Sequence, residues 1–334
     1  MTWLTWRQFR IPALSVFAAL AAIGVVLVIS GMEMRGETNF SDQEFMYSVT
    51  LLVMYALPAV LGVFWGVPMV TRELEAGTHS LVWNQTVTRK QWLTTKLVVG
   101  VLTAMVAAGL LSLAVTWWTS PIDALADADP QATTTARMSP VVFDARGIAP
   151  IGYAAFAFVL GIAFGIALRR TVTAMAITLV AFVAVMVAVP FLVRPYILPP
   201  SEETVTVTDS NIWQIRGNEN MDLDEIAVME PAGSWALTNE TVDRAGNTVS
   251  PLPASLHPCL PPLPGREAGV AAAPLDRLPD ECIAQGFADL GYKQRLVYQP
   301  ASHFWPLQWI ELAFFLALSA LVTWFCFRRI RHVS

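Results

Sequence analysis

Thr71-Arg-Glu-Leu-Glu-Ala-Gly-Thr-His-Ser-Leu-Val-Trp-Asn-Gln-Thr-Val-Thr-Arg-Lys-Gln-Trp-Leu-Thr-Thr-Lys96 is a polar stretch set between two apolar runs, Val49–Val70 and Leu93–Trp118. Each run has the length of about 20 residues or more that a helix needs to cross about 30 Å of hydrocarbon. Ile11–Ser30, Ile151–Leu168, Thr171–Phe191 and Phe304–Phe327 repeat the pattern. The chain of 334 residues is 55% hydrophobic and only 14% charged, with a mean hydropathy of +0.52. A soluble domain carries about 25% charged residues, so this composition belongs to a chain whose solvent is mostly lipid. The expected fold is an all-α polytopic membrane protein of six transmembrane helices, about 11–30, 49–70, 93–118, 151–168, 171–191 and a last span within 304–334. A secretory signal peptide is the competing reading of the first run, but its apolar core would be about 7–15 residues, and this run is longer.

The charges sort by side. Arg7, Arg10, Arg72, Arg89, Lys90, Lys96, Arg169, Arg170, Arg328, Arg329 and Arg331 fall at one set of span ends, where the only acids are Glu73 and Glu75. Lys and Arg in short loops mark the cytoplasmic side, so both termini and the 71–92 loop are expected there, in the cell membrane. The net charge of −5 is therefore an average over two unlike faces. No basic run interleaved with aromatics suggests a nucleic-acid partner. Residues 1–191 are read as one region: an N-terminal basic segment, five spans and the loop. For Met1–Arg10 two readings stay open, a short interfacial helix on the inner leaflet or a basic end that only orients the first span. Pro58 and Pro68 interrupt the second span, and proline removes an intrahelical bond, so this span is not expected to be a straight rod. A bend that lines a pathway and one that only serves packing are both open. Arg169-Arg170 is so short a link that the fourth and fifth spans form a hairpin. Gly161-x-x-x-Gly165 allows a close helix approach, expected within that hairpin rather than at a dimer face.

In the loop, Glu73 and Glu75 continue the second span as helix. Gly77 can end it in the left-handed region, and Thr78 can cap a new turn. Leu81-Val82-Trp83 then forms a short apolar tip. Thr88-Arg-Lys-Gln91 has the spacing of a capping box opening the third span. The order Arg72-Glu73-x-Glu75-x-Gly77-Thr78, the apolar run, then Thr88-Arg89 and Lys96 resembles the cytoplasmic loop of ATP-binding-cassette exporter permeases of the ABC-2-like type. Gln85 and Thr86 stand where such proteins often carry proline near the end of the apolar run. The resemblance implies a coupling helix that docks into a separate ABC ATPase subunit, with Glu73, Glu75, Gly77, Thr78, Leu81, Val82, Trp83 and Arg89 forming the coupling element. It also implies a second permease copy or paralogue in a dimer, since six spans form half of the usual unit. ATP and Mg would sit on the partner subunit, with no cofactor in this chain.

Residues 192–303 differ in composition, with clustered Pro and Gly, scattered acids and no spanning run. This extracytoplasmic segment of about 110 residues is large enough for a small domain, and an irregular cap is the other reading. Thr204–Thr208 alternates like a strand, and Asp222–Val228 is read as a short helix. Cys259 and Cys282 lie outside, where thiols are usually oxidised, and a disulfide between them is expected. It would close a loop worth roughly 3 kcal/mol through the unfolded chain. Cys326 is expected to be a packed free thiol.

No G-x-x-x-x-G-K-[ST] phosphate loop and no G-x-S-x-G elbow occurs, and His79, His257, His303 and His332 have no metal-ligand spacing. Catalytic, cofactor-binding and metal-ligating residues are thus expected to be absent. Glu311 is the one carboxylate inside an apolar span, where acids are functional suspects. Its place near Trp309 favours a hydrated or hydrogen-bonded residue at the rim. The leading expectation is a permease subunit exporting a hydrophobic or amphipathic substrate within membrane lipid. The alternative is a non-transport membrane protein whose outer domain binds a ligand or scaffolds an envelope complex.

Overall fold

The computed structural model describes residues 2–33, 44–77, 88–128, 136–217, 223–259 and 279–332. The chain forms two compact units, one of Met1–Leu198 with Ser302–Ser334 and one of Pro199–Ala301.

In the first unit, six helices among the described residues are long and apolar enough to cross a membrane. The first runs unbroken from Thr2 to Glu33, so the basic N-terminal residues continue the first span rather than forming a separate interfacial helix. The second, Phe45–Glu75, contains a π-helical turn at Leu61–Gly66. There the Val67 N–H donates to the Gly62 carbonyl, one residue farther back than in an α-helix. Pro68 follows at once and has no N–H to give, which is the kind of site where a helix widens or bends. The third span is Arg89–Trp118, the fourth Ala149–Leu168, the fifth Thr171–Tyr196 and the sixth lies in Phe304–Arg329. The fifth therefore extends beyond Phe191, through a second π turn at Val189–Val193 and a 3-10 turn at Arg194–Tyr196. The connection after the third span is not structureless. It holds a helix at Ser120–Ala128 and a short linker helix at Pro140–Asp144.

The fourth span is the buried centre of this unit, whereas the first, fifth and sixth bury only a small share of their residues. Its packing against the second span rests on four glycines. A Cβ at Gly62 or Gly66 would sit 2.5 Å from the carbonyl oxygens of Ala157 and Phe158, and one at Gly161 would run into the Gly62 carbonyl. One at Gly165 would sit 2.6 Å from the Val70 Cγ2. The seam of Gly161 and Gly165 thus faces the second span, not the hairpin partner expected from chain order. Backbones approach this closely only where side chains are missing, the usual reason for small residues at helix contacts in membranes. The hairpin still forms, because Arg169 takes a left-handed conformation (φ 54°) that turns the chain between the two spans.

The second unit has two antiparallel sheets. β1 (Ser201–Val205), β5 (Lys293–Gln299) and β4 (Trp235–Val242) pair in that order, and β2 (Ile212–Gly217) pairs with β3 (Leu223–Val228). The strand signal at Thr204–Thr208 is realised slightly earlier in the chain. Within the segment Asp222–Val228, expected to be a helix, the described residues Leu223–Val228 form strand β3. Ile226 and Val228 are fully buried with the period of two that a strand gives, and this overrides the local acidic start. Buried Gln294 and half-buried Asn239 stitch the sheets together. Gln294 Nε2 donates to the Ile226 carbonyl at 2.6 Å, and Asn239 both accepts from the Val228 N–H and donates to its carbonyl. Cys259 and Cys282 form a disulfide, with Cα atoms 5.4 Å apart. It joins the turn Ala254–Cys259 to the helix Pro279–Leu290 beside Ile283, Phe287 and Leu256. Cys326 is a buried free cysteine in the first unit.

Candidate functional site

The basic end of the spans holds the flanks of the 71–92 loop. Thr71 is buried at the end of the second span, and three polar residues follow within one turn. Glu73 accepts from Lys96 Nζ at 2.7 Å and from Trp92 Nε1 at 2.8 Å. Lys96 also donates to the Met69 carbonyl at 2.5 Å and lies 4.5 Å from the Trp92 ring centre. Its side chain is 4% exposed and that of Glu73 17%, so water screens this pair poorly. A helix places Trp92 and Lys96 four residues apart on one face, and both reach the same carboxylate. The last turn of the second span is thereby clamped to the first two turns of the third.

Glu75 makes the next tie. Its Oε1 accepts from the Thr171 N–H at 2.7 Å, and its Oε2 from the Thr171 hydroxyl at 2.8 Å. Thr171 begins the fifth span, whose own N-cap residue Arg170 supplies no side-chain cap. The first N–H groups of a helix lack internal partners and carry the positive end of its dipole. A carboxylate from the second span satisfies both needs. Arg89 makes the third tie, donating to the Arg331 carbonyl at 3.4 Å beyond the sixth span.

Thr88 caps the third span, its hydroxyl accepting from the Gln91 N–H at 3.2 Å. Gly77 has φ +68° and follows the last helical turn, the left-handed exit its sequence position suggests. Thr78, Leu81, Val82 and Trp83 lie outside the described residues. Glu73, Glu75 and Arg89 are thus gathered at the loop base, each engaged with another span of the same chain. Gly161 and Gly165 belong to the interhelical seam, and Cys259 and Cys282 to the second unit.

A second constellation, at the opposite end of the spans, was not assembled from the sequence. Glu311 is 1% exposed, so of the two readings offered for it the hydrogen-bonded one holds and the hydrated one does not. It receives a fork from Arg194, Nε to Oε2 at 3.0 Å and Nη2 to Oε1 at 2.9 Å. Arg194 Nη2 also contacts Asp144 Oδ1. The guanidinium carbon lies 4.2 Å from the Phe143 ring centre, and Nη1 is buried without a hydrogen-bond partner. The Tyr153 hydroxyl lies 2.6 Å from Glu311 Oε1 and 3.1 Å from Asp144 Oδ1. The Tyr55 hydroxyl lies 3.0 Å from the Val141 carbonyl and 3.5 Å from Asp144 Oδ2. Beside this cluster, Gln308 caps the fourth span from the sixth. Its Oε1 accepts from the Ile148 and Ala149 N–H groups, and its Nε2 donates to the Phe143 carbonyl. The available signal was Arg194 only three residues past the apparent end of an apolar run, together with the lone Glu311 inside another.

Among the described residues, no group of three or more His, Cys, Asp or Glu is placed to hold a metal ion. Residues 30–194 match the family described as ABC-2 membrane transporter related. No curated protein and no solved structure matches the chain. The match begins near the end of the first span, takes in the loop base and the glycine seam, and ends on Arg194 itself. The match over residues 30–194, together with the six apolar helices, supports an ABC-2-type permease, a multi-pass membrane component of transport.

Proposed function

We propose that this chain is the permease subunit of an ATP-driven exporter, powered by a separate ABC ATPase subunit and completed by a second permease copy or a paralogue. ATP and Mg sit on the ATPase, and this chain carries out no hydrolysis of its own. Both termini and the 71–92 loop face the cytoplasm, following the segregation of Lys and Arg. The substrate is hydrophobic or amphipathic, in keeping with the apolar spans.

One observation carries the coupling role: the loop base is tied to three other spans, through Glu73–Lys96, Glu75–Thr171 and Arg89–Arg331. A push on a loop hinged only at its own two helices would be absorbed locally. A push on this one is passed to the third, fifth and sixth spans together. The work divides accordingly, with Leu81-Val82-Trp83 as the apolar contact for the ATPase and Glu73, Glu75 and Arg89 as the transmitting ties. Trp83→Asp tests the division. A carboxylate buried without a partner in an apolar groove costs several kcal/mol. The variant is expected to insert and fold normally, to lose its copurifying ATPase and to lose transport. An ATPase retained at the wild-type ratio with normal transport would overturn the assignment, and no copurifying ATPase even for the wild type would favour the non-transport reading.

A further inference from the structure

The buried cluster of Asp144, Tyr153, Arg194 and Glu311 contains two carboxyl groups and a single cation. The titratable and charged groups that face Asp144 are Tyr55 from the second span, Tyr153 from the fourth, Arg194 from the fifth and Glu311 from the sixth. Arg146, two residues along the chain, is engaged with Asp123. With both carboxyls ionised, the side chains of this pocket would hold a net negative charge at a place where Arg194 and Asp144 are 0% and 2% exposed. Buried charge without full compensation is strongly disfavoured.

The hydrogen bonds tell the two carboxyls apart. Glu311 takes the guanidinium fork through both oxygens and also lies 2.6 Å from the Tyr153 hydroxyl. This is the arrangement of an ionised partner. Asp144 takes one contact from Arg194, although Nη1 of the same guanidinium is left without an acceptor. Among the described residues its Oδ2 faces only the Tyr55 hydroxyl, whose single proton has a nearer acceptor in the Val141 carbonyl. Tyr153 likewise has one proton, and its shorter contact is with Glu311. An ionised Asp144 would therefore leave Oδ2 with no donor. A proton on Oδ2 completes the chain: Asp144 donates to Tyr55, and Tyr55 donates to Val141. The cluster is then neutral, and both carboxyl groups are satisfied.

We propose that this cluster is a proton-binding site, with the proton held on Asp144 and Glu311 the ionised partner of Arg194. Asp144 ends the linker helix Pro140–Asp144, and the bound proton ties that helix to the second span beside its contacts with Tyr153 of the fourth and Arg194 of the fifth. The exchange is with water, and only an O–H bond forms or breaks. Loss of the proton places two anions on one guanidinium and removes the Asp144–Tyr55 bond, which makes the site pH-responsive at this end of the spans, while the bonds of Val141 to Tyr55 and of Phe143 to Gln308 still hold the linker helix.

Burial, aided by Glu311 and opposed by Arg194, pushes the Asp144 carboxyl up to about 7, against about 3.9 in an unfolded chain. A folded state with the higher value binds more protons between those limits, so stability is greatest at the acid side and falls as the pH rises to about 7. Infrared difference spectra of the full chain in lipid nanodiscs test the assignment. Wild type minus Asp144→Asn, at a pH of about 6, is expected to show the carbonyl band of a protonated carboxylic acid, which fades as the pH rises through about 7. Asp144→Asn mimics the neutral acid, and its thermal midpoint is expected to stay level over the pH range where that of the wild type falls. Absence of the band in the difference spectrum overturns the proposal, as does a pH dependence unchanged in Asp144→Asn. Failure of that variant to fold, where Glu311→Gln folds, would place the charge on the wrong carboxyl and overturn it too.

Discussion

The two ends of the membrane unit solve the same electrostatic problem in opposite ways. At the basic end Glu73, Lys96 and Glu75 each have a partner close to the chain's polar surface. Glu73 meets Lys96 and Trp92, Glu75 meets the start of the fifth span, and the 17% exposure of Glu73 leaves some contact with solvent. At the other end, Arg194, Glu311 and Asp144 are withdrawn from solvent and shared among four spans and a linker helix. The first arrangement ties neighbouring helices without making any one tie indispensable. The second makes packing conditional on every member being present. Under the proposed coupling role, an end that follows a moving partner is served by several modest ties, whereas an end held in one state is served by a single demanding cluster.

Removing the cation from each end gives the sharpest test of that contrast. Arg194→Met leaves Glu311 buried without its fork, and breaking a buried ion pair by deleting one partner costs about 3–5 kcal/mol. The expected result is a large fall in thermal midpoint in detergent or nanodiscs, partly recovered by Glu311→Gln in the same chain, because a neutral amide needs no counter-charge. Lys96→Met at the basic end leaves Glu73 with the Trp92 N–H and with partial access to water. The loss there is the smaller one of a hydrogen bond to a charged group, about 1.5–3 kcal/mol. Equal losses at the two ends would erase the distinction, and a larger loss for Lys96→Met would reverse it.

The sequence made one end far more legible than the other, for a physical reason. The legible part of the basic end is built from residues close in the chain: Gly77 and Thr88 act through local backbone geometry, and Glu73, Trp92 and Lys96 all lie in the stretch that joins two consecutive spans. The ties of Glu75 to Thr171 and of Arg89 to Arg331, 96 and 242 positions apart, were not readable. Local spacing and helix capping are readable without knowing which helices touch. The Arg194 cluster joins residues separated by 50 and 117 positions, so its members look like isolated polar residues at run ends. Arg194 was placed in the outer segment because the apolar run fades near Phe191, while the helix continues by a π turn and a 3-10 turn. The glycine seam was legible in composition but not in partner. Gly161 and Gly165 could signal close packing, yet only the π turn at Leu61–Gly66 decides that the second span, not the sequence neighbour, fills the space. The three-stranded sheet of the second unit showed only its first strand for the same reason, since β1 pairs with β5 across most of that unit.

The smallest expected effect separates Glu75 as a transmitting tie from Glu75 as a stabilising one. Its carboxylate is exposed, and its two contacts go to the first residue of the fifth span. Glu75→Gln keeps an oxygen that can accept from the Thr171 N–H and removes only the charge facing the helix dipole. Glu75→Ala removes both. Neither variant is expected to shift the thermal midpoint measurably, because water can replace the lost acceptor at an exposed helix start. Hydrogen exchange should still resolve them. The amides of Thr171–Ala174 are expected to exchange faster in Glu75→Ala and near the wild-type rate in Glu75→Gln, with Gln91 and Trp92 at the start of the third span unchanged in both. If the third-span amides loosen together with those of the fifth, the loop base acts as one cooperative block and the ties at Glu73 and Glu75 are not separable. If Glu75→Ala leaves Thr171–Ala174 fully protected, the second span does not hold the start of the fifth, and the force path from the loop must run through Lys96 and Arg89 alone.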